Sequence, residues 1–407
     1  MPVAIFLLTY LLIALQRFPG VHLNRPAASL LGAVAMVTLG GLPLQEAYAA
    51  IDLDVLVFLL GVMILVGYLE EGGFFEWCAA GVLRHARTPA RLLVAVTVGS
   101  GLLSAFFVND TVCLMLTPVL IGALVPLGVS PVPYLIALAM GANVGSALTF
   151  AGNPQVMLIG MWSGIPFGQY ALGMLPVVGG GLVLTTGILL VVYRQVLSRP
   201  FPADPPASAV AVDRTLVVPA LALFAGAVVG WLLGFSLPLV AISAGAMMVA
   251  LARRDPAPAL ARVEWTLVLF FAALFVVMRG LEYSGAVNHL DDAVLGWASQ
   301  GGEWRLVTGI SGAMLALSNL VSNVPAVILW RNVVPTLPDP ELAWRVMAMS
   351  STFAGNLLLI GSMANLIVAE RAEARGVTIS FSEYARVGIP VTLATLVWGV
   401  VVMVWLS

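Results

Sequence analysis

The sequence predicts an all-α polytopic membrane protein: an inverted repeat of two halves, with about 10 transmembrane helices, two re-entrant hairpins and broken helices at the site. Three observations predict it. The 407 residues are 61% hydrophobic and only 9% charged, where a soluble chain would carry roughly 25% charged residues. Apolar runs of spanning length recur from end to end. Three blocks of the first half also return in the second at a nearly constant offset. Glu70 in GYLEEGG matches Glu282 in RGLEYSG 212 residues later, Ser104 and Asn109 match Ser318 and Asn323 at 214, and Asn153 in FAGNPQ matches Asn365 in SMANLI at 212.

In the first half, residues 1–193, apolar runs fall near 2–16, 27–41, 53–69 and 171–193, around a hairpin at 92–127 and a broken helix at 133–163. The run at 2–16 has no basic leader and no small-residue cleavage site, so it is expected to be a first span and not a signal peptide. Residues 194–214, rich in Pro and charge, make a cytoplasmic linker. The second half, 215–407, repeats the order with runs near 215–234, 237–252, 265–281 and 388–406, a hairpin at 306–335 and a broken helix at 343–369.

If each hairpin enters and leaves on one side, each half crosses the membrane an odd number of times, and the halves are inverted with respect to each other. The arginines test this by the positive-inside rule. All 18 basic residues are Arg. Fourteen fall on one side, namely Arg17, Arg25, Arg84, Arg87, Arg91, Arg194, Arg199, Arg214, Arg253, Arg254, Arg262, Arg371, Arg375 and Arg386. The other side has four: Arg279, Arg305, Arg331 and Arg345. The first side is therefore expected to face the cytoplasm, in a multi-pass protein of the inner membrane.

The polar residues that carry chemistry sit inside the apolar runs. The stretch Phe106–Pro118, FFVNDTVCLMLTP, places Asn109, Asp110 and Thr111 at membrane depth. A carboxylate there costs about 2.5–3.5 kcal/mol on insertion scales, which a bound cation or proton would offset. A hairpin tip also exposes backbone groups, tolerated at this depth only inside protein or along a cavity. Helix N-termini at such tips suit anions, carbonyls suit cations, and Asn serves both. Cation coupling, to Na+ or H+, is assigned to Ser104, Asn109, Asp110, Ser318, Ser322 and Asn323.

Next come the Gly-Asn stretches. Gly141–Gly152 (GANVGSALTFAG) precedes Asn153-Pro154, where proline disfavours helix at Asn153. Gly355, Asn356, Gly361, Ser362 and Asn365 play the same part in the second half without the proline. Substrate binding is assigned to Asn109, Thr111, Asn153, Asn323, Ser362 and Asn365. The competing reading makes these residues, and above all Gly141 and Gly145, small-residue and amide contacts between helices. Arg279, three residues before Glu282, is expected to form an interfacial ion pair, and Cys113 to pack as a small apolar residue.

Other classes lose support. His22, His85 and His289 are scattered, and Cys78 and Cys113 are far apart, so neither a metal site nor a disulfide framework is visible. No GxSxG or HExxH motif points to an enzyme. No nucleotide-binding motif points to an ATP-driven pump, and the net charge of −2 identifies no partner. No cofactor and no nucleic acid are expected.

Taken together, LGVMILVGYLEEGGFFEW, FFVNDTVCLMLTPVLI, GNPQVMLIG, SNLVSNVPAV and GNLLLIGSMANLIVAE resemble the ion-transporter superfamily over nearly the whole chain. That superfamily includes divalent-anion/sodium symporters, citrate transporters, arsenite-efflux permeases and sodium/proton antiporters. The resemblance implies a scaffold domain, a transport domain carrying both hairpins, a homodimer and elevator-like movement. In the dicarboxylate branch each tip carries Ser-Asn-Thr. Here the triplets are Val108-Asn109-Asp110 and Ser322-Asn323-Val324, and Ser104 and Ser318 resemble further sodium ligands. Asp110 adds negative charge where an anion would sit, Val324 removes a hydroxyl, and the nearest arginine in sequence to a tip is Arg331. The NDT tip is similar to the arsenite and sodium/proton branches, and the GNPQ and SNVPAV blocks to general anion permeases. The expected function is a secondary active transporter moving a small anion or oxyacid, coupled to Na+ or H+. Arsenite efflux and sodium/proton exchange are the alternatives.

Overall fold

The computed structural model describes residues 1–15, 24–201, 211–285 and 301–406. His22, Arg17 and His289, and residues 202–210 of the linker, lie outside the described residues. The fold is all helical. The first half holds α1 (Pro2–Leu15), α2 (Arg25–Thr38), α3 (Leu44–Ala50), α4 (Leu53–Glu71), α5 (Phe74–His85), α6 (Pro89–Ser104), α7 (Asn109–Leu124), α8 (Val132–Ser146), α9 (Pro154–Trp162) and α10 (Phe167–Val192). After it come α11 (Arg214–Leu232), α12 (Leu237–Ala252), α13 (Trp265–Tyr283), α14 (Glu303–Val321), α15 (Asn323–Leu329), α16 (Pro340–Ala354), α17 (Met363–Glu373) and α18 (Phe381–Leu406).

Local chemistry sets many boundaries. Thr88, Asn153 and Asp339 each cap a helix that opens with proline, their side-chain oxygens accepting from Arg91, Val156 and Leu342 N–H groups. Among the described residues seven helices are long and apolar enough to span: α14, and α7 with the turn to Leu127, which were expected as hairpin arms, and α4, α10, α11, α13 and α18 of the ten expected crossings. Three, α1, α2 and α12, are only 14–16 residues long, roughly 21–24 Å at 1.5 Å per residue. The remaining two are the interrupted pairs α8/α9 and α16/α17. Leu172, Val183, Leu233, Val397 and Trp405 are exposed on the outer helices, as an acyl-chain environment allows.

Packing between the halves is reciprocal. Within each half the first hairpin arm packs on the helix before the break, α6 on α8 and α14 on α16. Across the halves, α4 packs on α12 and α13 packs on α2. The second arm α7 lies against α17 of the other half, and α15 lies against α9. Every residue of α8 is buried, which makes it the central core helix. Its approach to α6 is backbone to backbone: a Cβ on Gly145 would sit 2.1 Å from the Gly101 carbonyl oxygen. Gly145 is therefore a packing glycine, as the competing reading had it.

Two expectations change in detail. The first break runs over residues 147–153, and Asn153 is not its centre but the cap of the helix that follows. The matching N-cap position in the second half is Ser362, not Asn365. Helix α5 was not anticipated, because its apolar run, Trp77 to Leu83, is far too short to span a membrane; it packs against α7. His85 is the last residue of α5, not a loop residue.

Candidate functional site

Two hairpin tips and two helix breaks meet at the centre of the molecule. At the first tip, α6 ends at Ser104, residues 105–108 turn, and α7 begins at Asn109. The turn is latched to the first break: Asn109 N–H donates to the Gly152 carbonyl at 3.0 Å, and the Thr149 hydroxyl donates to the Ala105 carbonyl. At the second tip, α14 ends at Val321 and α15 begins at Asn323, with Ser322 between them at φ 78° and ψ 160°. That region of backbone space is close to glycine-only, and a serine held there stores of order 1–3 kcal/mol of strain. It and Arg253 are the only non-glycine residues at positive φ among the described residues.

The matched side chains share an unusual state. Ser104 Oγ, Asn109 Oδ1, Ser318 Oγ and Asn323 Oδ1 are buried with no hydrogen-bond partner among the described residues, and so is Asn319 Oδ1. Native structures leave few such groups, and each calls for an explanation. All five are bare acceptor oxygens, or hydroxyls able to act as one, grouped by tip. Unpartnered neutral oxygens are the ligand type that a hard cation such as Na+ takes.

Behind the tips lies a fully bonded amide network centred on Asn143 of α8. Its Oδ1 accepts from Asn109 Nδ2 and from the Ser362 hydroxyl, both at 3.0 Å. Its Nδ2 donates to Asn356 Oδ1 at 2.9 Å and Asn365 Oδ1 at 3.0 Å. Asn365 Nδ2 donates in turn to the carbonyls of Gly355 and Leu358 at 2.8 and 3.2 Å. Asn153 donates to Ser146 Oγ at 2.8 Å and Thr352 Oγ1 at 3.2 Å, so it links the halves as well as capping α9. The structure therefore places Asn153, Ser362 and Asn365 behind the tips, with their amide and hydroxyl hydrogens already given to protein acceptors.

Two adjoining cavities reach the tips from one face. The larger, about 550 Å³, is lined by Val108, Asp110, Thr111, Arg25, Glu264, Glu370 and Arg371 among others. The smaller, about 290 Å³, reaches Ser318, Asn319 and Ser322 and shares Arg25, Leu366 and Glu370 with the larger. Asp110 and Thr111 lie in the first turn of α7, where the helix dipole favours a carboxylate. The larger cavity holds three acidic side chains against two arginines, a balance that favours cations and neutral solutes over polyanions.

On the opposite face a third cavity, about 290 Å³, is lined by Glu46, Arg279, Glu282, Arg331 and Asn332 among others, and its lining includes no residue of either tip. Arg279 pairs with Glu46 at 2.8 Å and with Glu282 at 3.4 Å, the expected ion pair with one added partner. Asn332 donates to Glu282, Arg331 lies 4.5 Å over the Trp162 ring, and the Trp162 indole donates to Asp52 at 2.9 Å. The nearest arginine to a tip in sequence thus lies on this opposite face, whereas Arg25, from distant α2, shares the cavity of Asp110. Cys113 is buried in α7 as a packing residue.

Sequence reasoning missed Asn143, Thr352 and Asn319 as site residues. The pentapeptide TFAGN occurs at 149–153 and again at 352–356, and its offset of 203 hid it beside the blocks at 212–214. For Asn143 the available signal was a lone Asn in a helix apolar on every side, which must find partners inside the protein.

Comparison with known proteins agrees with this architecture. The family model described as Citrate transporter (CitMHS) matches residues 10–354. The silicon efflux transporter LSI3 of Oryza sativa subsp. japonica is 29% identical over 96% of this chain and 94% of its own length. The arsenical pump membrane protein of Escherichia coli is 26% identical over 97% of this chain and 95% of its own. Among solved structures, the YdaH transporter of Alcanivorax borkumensis superposes with a TM-score of 0.58 at 17% identity, covering 99% of this chain and 96% of that one.

Proposed function

The chain belongs to the CitMHS citrate transporter family, and from that premise we propose that it is a secondary transporter coupling Na+ to the movement of a small, neutral, hydroxyl-bearing oxyacid. The observation that carries this reading is the set of bare, buried oxygens at both tips, Ser104, Asn109, Ser318, Asn319 and Asn323. Neutral oxygens bind a metal cation but cannot take up a proton, which favours Na+ over H+. Asp110, on the wall of the larger cavity, adds the negative charge that holds the cation.

The cavity chemistry argues for a neutral solute. Citrate would bring three carboxylates to a wall with more acidic than basic side chains. An uncharged oxyacid such as As(OH)3 needs only hydrogen-bond partners, and Thr111 and Ser322 face the cavities with hydroxyls. Relatives whose names specify silicon efflux and an arsenical pump support the same class and an outward direction. In this reading the two halves form inverted repeats, the paired helices of residues 92–127 and 306–335 re-enter, and the copies pair as homodimers in the inner membrane. The positive-inside count puts the face bearing Arg25 and Arg371 in the cytoplasm, so the described state opens inward. The transport domain then moves past the scaffold as the contacts of Arg279 and Trp162 on the opposite face rearrange.

Expression in a bacterium lacking its own arsenite exporter tests this. The expected result is higher arsenite tolerance with lower cell arsenic, and no gain in citrate uptake. Citrate accumulation without any change in arsenite handling would contradict the proposal.

A further inference from the structure

We infer that Asn143 is a positioning residue that fixes which end of the Asn109 amide faces the cation. This rests on the reading of the first tip as a Na+ site. Backbone carbonyls have only one possible role and fix the rest of the network. The Gly355 and Leu358 carbonyls can only accept, so the end of Asn365 that meets them at 2.8 and 3.2 Å is its NH2. Asn365 then presents Oδ1 to Asn143, and the end of Asn143 that reaches it is also NH2. The Met140 carbonyl sets Asn356 the same way, and Asn143 donates to that Oδ1 too.

With both donors of Asn143 committed, its other end must be oxygen. That oxygen accepts from the Ser362 hydroxyl and from Asn109 Nδ2. Asn109 is left with Oδ1 turned away, buried and unpartnered at the tip. Polarity therefore passes from backbone carbonyls in the second half, through two amides, to one oxygen in the first. An amide with its orientation released could present NH2 to the cation instead, and an NH2 group repels it.

The test is 22Na+ binding to the purified protein by scintillation proximity, read beside thermal unfolding. N143A should weaken Na+ binding by about tenfold or more in the native background. In an N109D background the same substitution should change it by less than about threefold, because a carboxylate offers oxygen at both ends and needs no orienting. N143D, which still accepts from Asn109 but loses its donors, should bind Na+ more tightly than N143A although both lower the unfolding temperature. It keeps the test open if N143A fails to fold. Equal effects of N143A in both backgrounds, or Na+ affinities that merely follow unfolding temperature, would overturn the assignment. Absence of saturable Na+ binding by the native protein would overturn the Na+ site itself, and that result is visible without any variant.

Discussion

Ser104 and Ser318 each keep a hydroxyl buried with no partner among the described residues, while Asn153 spends its whole amide on protein partners. Those two states predict opposite trade-offs. Removing an unpartnered buried hydroxyl relieves a desolvation cost, so S104A and S318A should leave the unfolding temperature unchanged or raised. Both should weaken Na+ binding by about tenfold or more. N153A should instead lose about 1 kcal/mol or more of stability, through the lost cap and the groups left unpaired at Ser146 and Thr352. Unfolding and Na+ binding measured on the same preparations decide it; a destabilised S104A with normal Na+ binding would mean that the hydroxyl is structural. The tip residues were legible in sequence because matched polar residues inside apolar runs stand out. Asn143 was not, because its function depends on four partners 34, 213, 219 and 222 residues away.

At the scale of elements, α6 and α8 touch because Gly101 and Gly145 let their backbones meet. A larger side chain at 145 must push the helices apart, and overpacking of this kind costs typically about 1–3 kcal/mol. It would also shift Asn143, one half-turn away, from Asn109. G145V should therefore lower both the unfolding temperature and Na+ affinity, whereas a valine at Gly122, whose added Cβ would meet open space, should leave Na+ affinity unaltered. Equal Na+ affinities in the two variants would refute the coupling of this contact to the tip. Long apolar helices such as α4, α10 and α18 were legible from hydropathy alone. The extent of the first break was not, because proline at 154 marks only where helix resumes, and the unwound residues 147–153 are held open by bonds to the first tip.

For the whole molecule, α4 packs on α12 as α13 packs on α2, and the face opening to both tips carries Arg25 and Arg371, two of the fourteen arginines expected on one side. Sequence gave no sign that Arg25 shares a cavity with Asp110, since α2 and α7 are brought together only by the fold. The Arg279–Glu282 ion pair on the opposite face, by contrast, was foreseen, while its added partner Glu46 and the Arg331–Trp162 contact beside it were not. The central claim is that Na+ held at the tips drives a neutral oxyacid. Its most direct test is radiolabelled arsenite in proteoliposomes under an imposed Na+ gradient at equal pH. Arsenite should accumulate on one side above its passive level, and S104A or D110N should abolish this. Movement that ignores the Na+ gradient and follows a pH gradient alone, or persists unchanged in both variants, would contradict it.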